Sequence, residues 1–249
     1  MLPNTLFVGQ QLYNLPVCES TNLEAHQLLI KNKATEGCTV VTTEQTKGRG
    51  QRGNTWESEP GKNITLSVIL SPVFLPVRKQ FYLNMAVSLA VLDLLRAYGA
   101  SDARVKWPND LYIADKKLGG ILIENTINSL TLQHSIIGIG LNVNQLHFQI
   151  DTATSLAVVT GAEIELEALA ARLLELLEKR YLELRNDKQA KLKYEYLQAL
   201  YRYQEPHNFI VNGKQVTGSI VGVDEDGKLA VEIDRELCLF DFKEITYVI

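Results

Sequence analysis

The sequence predicts an α+β fold, with a mixed central β-sheet packed with helices over residues 1–204 and a small β domain over residues 205–249. Three observations carry this. Short extended segments alternate with helical patterns through the first half of the chain. Two almost continuously apolar runs, 118–125 and 132–140, have the texture of central, buried strands. After Pro206 short β segments are broken by Asn212-Gly213 and Asp226-Gly227, both strong hairpin signals.

Segments 12–18, 38–43 and 64–70 read as strands. Thr21-Asn22-Leu23-Glu24 has the form of a capping box, in which a hydroxyl and a carboxylate three residues on serve the first free amides, and it opens a helix to about residue 33. A second helix covers 78–98, with Phe81, Met85, Leu89, Leu92 and Leu95 on one face and Gly99 as its stop. Segments 104–107, 111–114, 118–125 and 132–140 follow as consecutive strands, the heart of the sheet. Residues 165–185 and 188–203 are amphipathic helices, rich in Leu, Glu and Ala, expected to pack behind it. The tail reads as a small β-barrel of about 45 residues, too small to stand alone and therefore docked on the main domain.

With 46% hydrophobic and 22% charged residues, the 249-residue chain is ordinary globular protein. Its net charge of −4 argues against a broad basic face for nucleic acid, so none is expected as a partner. Three well-separated cysteines (Cys18, Cys38, Cys238) suggest free thiols in a reducing cytoplasm rather than disulfides or zinc. No segment approaches the roughly 20 apolar residues that span a bilayer, so no membrane is expected either.

Four segments could carry chemistry. In the loop 46–56, Gly48, Gly50 and Gly53 alternate with Lys47, Arg49 and Arg52, and Trp56 follows. Glycines let backbone amides converge on an anion while the cations supply charge, and Trp56 offers a face for a purine; a solvated hairpin with incidental arginines is the bland alternative. In Val105-Lys106-Trp107-Pro108-Asn109-Asp110, strand alternation puts Lys106 and Pro108 on one face, Val105 and Trp107 on the other. Lys106 either snorkels at a sheet edge or is held where its charge is wanted. Gly119 and Gly120 open an apolar strand, which suggests either a plain bulge or the close approach of a ligand or another backbone. Gly138 and Gly140 lie in the next strand, which ends on Asn142 and Asn144, two amides able to bind polar groups or metal-bound water.

Taken in order, Ser20-Thr21-Asn22, the glycine and arginine loop ending in Trp56, Lys-Trp-Pro-Asn-Asp at 106–110, Lys-Leu-Gly-Gly-Ile-Leu-Ile-Glu at 117–124, Gly-Ile-Gly-Leu-Asn-Val at 138–143 and Thr-Ser-Leu at 154–156 resemble the biotin–protein ligase family. The resemblance implies a class II synthetase-like catalytic domain with an SH3-like C-terminal barrel. It also implies an ATP-dependent ligase that makes biotinyl-adenylate from biotin and Mg-ATP, then loads a lysine of a biotin carboxyl carrier protein or domain. Lys106 and Arg49 would be the catalytic cations. Ser20, Thr21, Asn22 and Gln45 would bind biotin together with Gly48, Arg49 and Lys106, and Gly119 and Gly120 would let the backbone approach the adenylate.

By the same resemblance Lys47, Gly50, Arg52 and Gly53 would cradle ATP, Trp56 would stack on adenine, and Asn109 and Asn142 would help hold the phosphates or their Mg²⁺. No protein metal ligand set is implied, and a homodimer is admitted. Gln51 and Asn54 stand where the family often has arginine, which bears on how tightly the adenylate is held. Ser20 comes too early to leave room for the DNA-binding domain of family members that repress transcription, so no repressor activity is expected. The rival readings are a lipoate–protein ligase or octanoyltransferase, and a non-enzymatic nucleotide-sensing module.

Overall fold

Strands β1 (Leu12–Cys18), β2 (Thr39–Gln45), β3 (Ile64–Leu70), β4 (Arg104–Lys106), β5 (Asp110–Ile113), β6 (Lys116–Asn128) and β7 (Thr131–Leu141) form one sheet in the order β1-β2-β3-β7-β6-β5-β4. The computed structural model describes residues 3–249, apart from the side chain of Arg52. β1 runs parallel to β2 and every other pairing is antiparallel, so the sheet is mixed, as expected. The apolar run on β7 lies at its centre, between β3 and β6.

Side-chain alternation sorts these strands onto two covered faces. Leu66, Val68 and Leu70 of β3 and Ile137, Ile139 and Leu141 of β7 join the main core with helices α2 (Phe81–Ala97) and α4 (Leu166–Arg185). On the opposite face Ile69 and Ile136 pack with Cys38, Val40 and Ala25 beneath α1 (Thr21–Ile30). Helix α2 is buried well beyond the single face read from its periodicity, because α4 and α5 (Gln189–Gln198) cover it outside the sheet. Gly99, at φ +95°, ends it as anticipated.

Two local expectations fail for identifiable reasons, and one short helix was not foreseen. The capping box does not form: the N-cap is Ser20, which makes no side-chain cap bond, and the Thr21 hydroxyl turns to Gln45 and Ser67 instead. Helix α5 stops at Gln198 rather than 203, because the chain leaves it to pair with edge strand β4, with Tyr201 N donating to Val105 O at 2.8 Å. The five-residue α3 (Leu156–Thr160) is too short to show a periodicity; Ser155 caps it, accepting from Val158 N.

The N-terminal segment is tied to α4 by one carboxylate. Glu178, buried on that helix, accepts from the amides of Leu6 (2.7 Å), Phe7 (2.9 Å) and Val8 (3.0 Å).

The tail folds as β8 (Pro206–Val211), β9 (Lys214–Val223), β10 (Leu229–Ile233), β11 (Glu236–Phe240) and β12 (Ile245–Tyr247), an antiparallel sheet in the order β11-β10-β9-β8-β12. The pairing is that of a sheet with β11 and β12 at its edges, consistent with the SH3-like β domain expected. Asn212 and Gly213 both take positive φ, as a two-residue hairpin turn requires. Asp234 and Arg235 do the same between β10 and β11 without a glycine to announce them. The sheet docks as anticipated: Trp107 Nε1 donates to Gly227 O at 2.9 Å, and Phe209, Ile220, Leu229 and Val231 share the main core.

Candidate active site

A cavity of about 290 Å³ lies on the α1 face of the large sheet, reaching from β3 across β7 and β6 to β5 and β4. The loop between β2 and β3 and the last strand, β12, contribute to its walls. Glycine on the facing positions of the central strands makes the room. A Cβ on Gly138 would stand 2.4 Å from Asn22 Oδ1, and one on Gly140 would stand 2.5 Å from Trp56 Cε2. No other residue fits at either position without moving the wall.

The end under α1 is neutral and polar. Gln45 Oε1 accepts from Thr21 N at 2.8 Å, so the last residue of β2 serves the first amide of the helix. Ser67, from β3, donates to Asn22 Oδ1 at 2.6 Å, and its hydroxyl lies 2.7 Å from that of Thr21. Asn22 Nδ2 in turn donates to Glu124 Oε2 at 2.7 Å, and the same oxygen is 3.5 Å from Arg49 Nη2. Ser20, Thr21, Asn22, Gln45 and Arg49 thus converge at one end of the cavity.

The end at the sheet edge is cationic. Lys106 donates to the Tyr112 hydroxyl at 3.3 Å, and its ammonium lies 4.6 Å from the centre of the Tyr112 ring and 5.1 Å from that of Tyr247. Burial holds its pKa below the ordinary lysine value; Asp110 opposes the shift, while Lys117 and Arg202 add to it. Asp110 itself pairs with Lys117 at 2.7 Å. Val105 and Trp107 are buried on the opposite face, so the alternation read from the sequence is correct, and Lys106 points into a cavity although β4 is an edge strand. The Trp107–Pro108 peptide is cis.

The glycine loop folds as a narrow hairpin, bridged at Arg49 and Thr55 with a 3₁₀ turn at Gln51–Gly53. Gly48 is needed for the pinch, since a Cβ there would lie 2.3 Å from Trp56 O. The Trp56 indole lies against Gly140, with the Lys117 ammonium 5.8 Å from a ring centre. Among the described residues, the buried side-chain polar atoms without a hydrogen-bond partner are Gln51 Oε1, Trp56 Nε1, Asn142 Oδ1 and Tyr247 Oη. All but Asn142 belong to residues lining this cavity, where a ligand would complete them.

Several expected residues stand elsewhere. Gly119 faces the helical core against Gly140 O and Leu141; only Gly120 faces the cavity, because neighbours on a strand point oppositely. Asn142 is turned away, donating to Thr154 O at 3.0 Å. Lys47 is exposed and pairs with Glu19 at 2.8 Å, and Gly53, at φ +87°, is exposed at the loop tip. Gly50 and Asn109 line the cavity, the latter donating to Ile121 O at 2.6 Å. The side chain of Arg52, expected among the ATP ligands, lies outside the described part of the structure. Asp110, Lys117 and Tyr247 were not singled out by the sequence reading, although the first two sit inside motifs it quoted.

The sequence matches the Biotin/lipoate A/B protein ligase family over residues 15–142, half of the chain. The chain belongs to this family. One member, the bifunctional ligase/repressor BirA of Bacillus spizizenii, is 37% identical over 182 residues, covering 71% of this chain and 55% of its own length. The chain therefore spans about half the length of that relative. Another, the biotin–[acetyl-CoA-carboxylase] ligase of Mycobacterium tuberculosis, is 31% identical over 219 residues, covering 86% of this chain and 80% of the relative. Among solved structures, a biotin protein ligase from Aquifex aeolicus in complex with biotin and ATP superposes with a TM-score of 0.79 at 24% identity, over 95% of this chain and 98% of that one. A Leishmania major biotin protein ligase in complex with biotinyl-5-AMP gives 0.64 at 21%, over 93% and 99%. At these identities the structural likeness is one of fold.

Proposed function

We propose that the chain is a biotin–protein ligase, converting biotin and Mg-ATP to biotinyl-5′-adenylate and pyrophosphate, then transferring biotin to a lysine of a biotin carboxyl carrier protein or domain. The observation that carries it is the polarity of the cavity. Its neutral polar end suits a ureido group, and Leu122, on the cavity face with Gly120, Gly138 and Gly140, supplies apolar wall for an acyl chain. At the far end Lys106 and Lys117 face Asp110, the one carboxylate among the described lining residues, while Lys243 adds positive charge. Biotin has this sequence of groups, and the relative named a biotin–[acetyl-CoA-carboxylase] ligase agrees with it.

In the first step a biotin carboxylate oxygen attacks the α-phosphorus and the bond to the bridging oxygen of pyrophosphate breaks. Lys106 meets the negative charge shared by carboxylate and α-phosphate, a preorganised contact in a site with little water. Trp56 offers its face to the adenine, and the loop carrying Arg49 covers the anhydride against hydrolysis. In the second step the neutral amine of the carrier lysine attacks the acyl carbon, AMP leaves and the amine proton passes to water. Among the described residues no cluster of His, Cys, Asp and Glu could hold a metal. Mg²⁺ would arrive on the nucleotide phosphates, the usual preference of that ion.

We assign catalysis to residues 1–204 and a supporting role to 205–249. No helix among the described residues is long and apolar enough to cross a membrane. Together with the free thiols Cys18, Cys38 and Cys238, that agrees with a cytoplasmic setting. Mass spectrometry of a carrier domain incubated with the protein, biotin and Mg-ATP tests the proposal: a gain of one biotin is expected. Pyrophosphate exchange driven by lipoate in place of biotin would overturn it in favour of the sister activity.

A further inference from the structure

Tyr247 is the last residue of β12, paired opposite Phe209 of β8 and held edge-on by that ring at 5.3 Å, with Tyr201 at 6.0 Å. It belongs to the small C-terminal sheet, yet its ring covers the Lys106 ammonium and it lines the cavity of the large one. Its hydroxyl differs from those of Tyr181, Tyr196 and Tyr201, which are also buried in the fold. Tyr181 donates to Glu36 at 2.8 Å, Tyr196 reaches Pro108 O at 3.4 Å and Tyr201 is bonded to Asp115, whereas Tyr247 Oη is buried with no partner. Burial raises the Tyr247 pKa, so the phenol stays protonated and remains a donor.

An unpaired buried hydroxyl is a cost that folded proteins rarely carry without a use. At this end of the cavity the ligand group is an anion, if the reading above holds, and a phenol can donate to it without adding charge beside Lys106 and Lys117. We infer that Tyr247 is a ligand-contacting residue, its hydroxyl donating to the carboxylate or phosphate oxygen that Lys106 neutralises, so that the C-terminal sheet completes the active site. The inference rests on the proposed biotin activation.

The test compares wild type, Tyr247→Phe and Tyr247→Leu in the full chain by thermal unfolding and by biotin-dependent ATP–pyrophosphate exchange. Tyr247→Phe keeps the ring over Lys106 and removes only an unsatisfied group, so it is expected to melt at or above the wild-type temperature. Its kcat/KM for exchange should fall about tenfold to a hundredfold, the effect of one hydrogen bond to a charged group. Tyr247→Leu, which also loses the ring, is expected to fall further and to melt lower. Normal exchange by Tyr247→Phe beside an active wild type sinks this inference alone. A phenylalanine variant that melts several degrees lower gives the hydroxyl a structural partner and overturns it as well. A wild type that makes no adenylate removes both this inference and the proposed function.

Discussion

Replacing Lys106 by methionine separates charge from packing. Methionine keeps much of the apolar stem lying between the Tyr112 and Tyr247 rings but cannot meet an anion. In the ligand-free protein the ammonium is partly desolvated and stands near Lys117 and Arg202, with Asp110 already paired to Lys117. Its loss is therefore expected to change stability by no more than about 0.5 kcal/mol, about 2 °C or less for a chain this long. Adenylation is expected to fall by about 10²–10³, the usual cost of one preorganised electrostatic contact.

The pH dependence gives an independent check. Because burial lowers the Lys106 pKa, the required charge is lost as pH rises through a value below that of an ordinary lysine. The kcat/KM for exchange should decline there, and Lys106→Arg should carry whatever activity it retains to higher pH. The same sign governs folding: a lysine whose folded pKa is depressed costs stability while protonated in both states, and the cost is relieved as pH rises through the folded pKa. The measurement pairs pyrophosphate exchange with thermal melts. A well-folded Lys106→Met protein with near-normal exchange would refute the role given to this lysine.

Three other changes probe the architecture. Gly138→Ala forces a Cβ to within 2.4 Å of Asn22 Oδ1, so biotin affinity should weaken and stability should fall by about 1–3 kcal/mol; calorimetry and melting check both. Trp56→Ala is expected to raise the Kd for ATP by about tenfold to a hundredfold and that for biotin far less; equal losses for the two ligands would count against stacking. Glu178→Ala leaves the amides of Leu6, Phe7 and Val8 without their acceptor, at a cost of about 1–3 kcal/mol, and should hasten proteolysis of the first residues; a melt unchanged from wild type would contradict the anchoring.

Much of this was legible in the sequence, and the exceptions follow a pattern. Strands β1 and β3 begin and end where their apolar texture does, and the alternation around Lys106 separated it from Val105 and Trp107 without deciding between a sheet edge and a site. The same alternation, applied to Gly119 and Gly120, separates the pair, since one of two neighbours on a strand must face away. What stayed hidden was tertiary in origin. Thr21 looked like a capping residue because its local pattern was satisfied, whereas its partners, Gln45 and Ser67, come from other strands. Nothing around Tyr247 marks it as part of a site, because the sheet that carries it reaches Lys106 only after docking. Of the residues named by resemblance, Gly119 and Asn142 face away from the cavity, while Lys47 and Gly53 are exposed on the loop.

The cavity draws its walls from residues as far apart in sequence as Ser20 and Tyr247. Such a pocket closes late in folding, since contacts this distant in sequence form only after the entropy of ordering the intervening loops has been met. A nascent or clipped chain therefore holds pieces of the site but no enclosed chamber. A reactive acyl phosphate made in a half-formed site would escape and acylate exposed amines at random. Spreading the chamber from residue 20 to residue 247 makes docking of the C-terminal sheet a precondition for enclosing that intermediate.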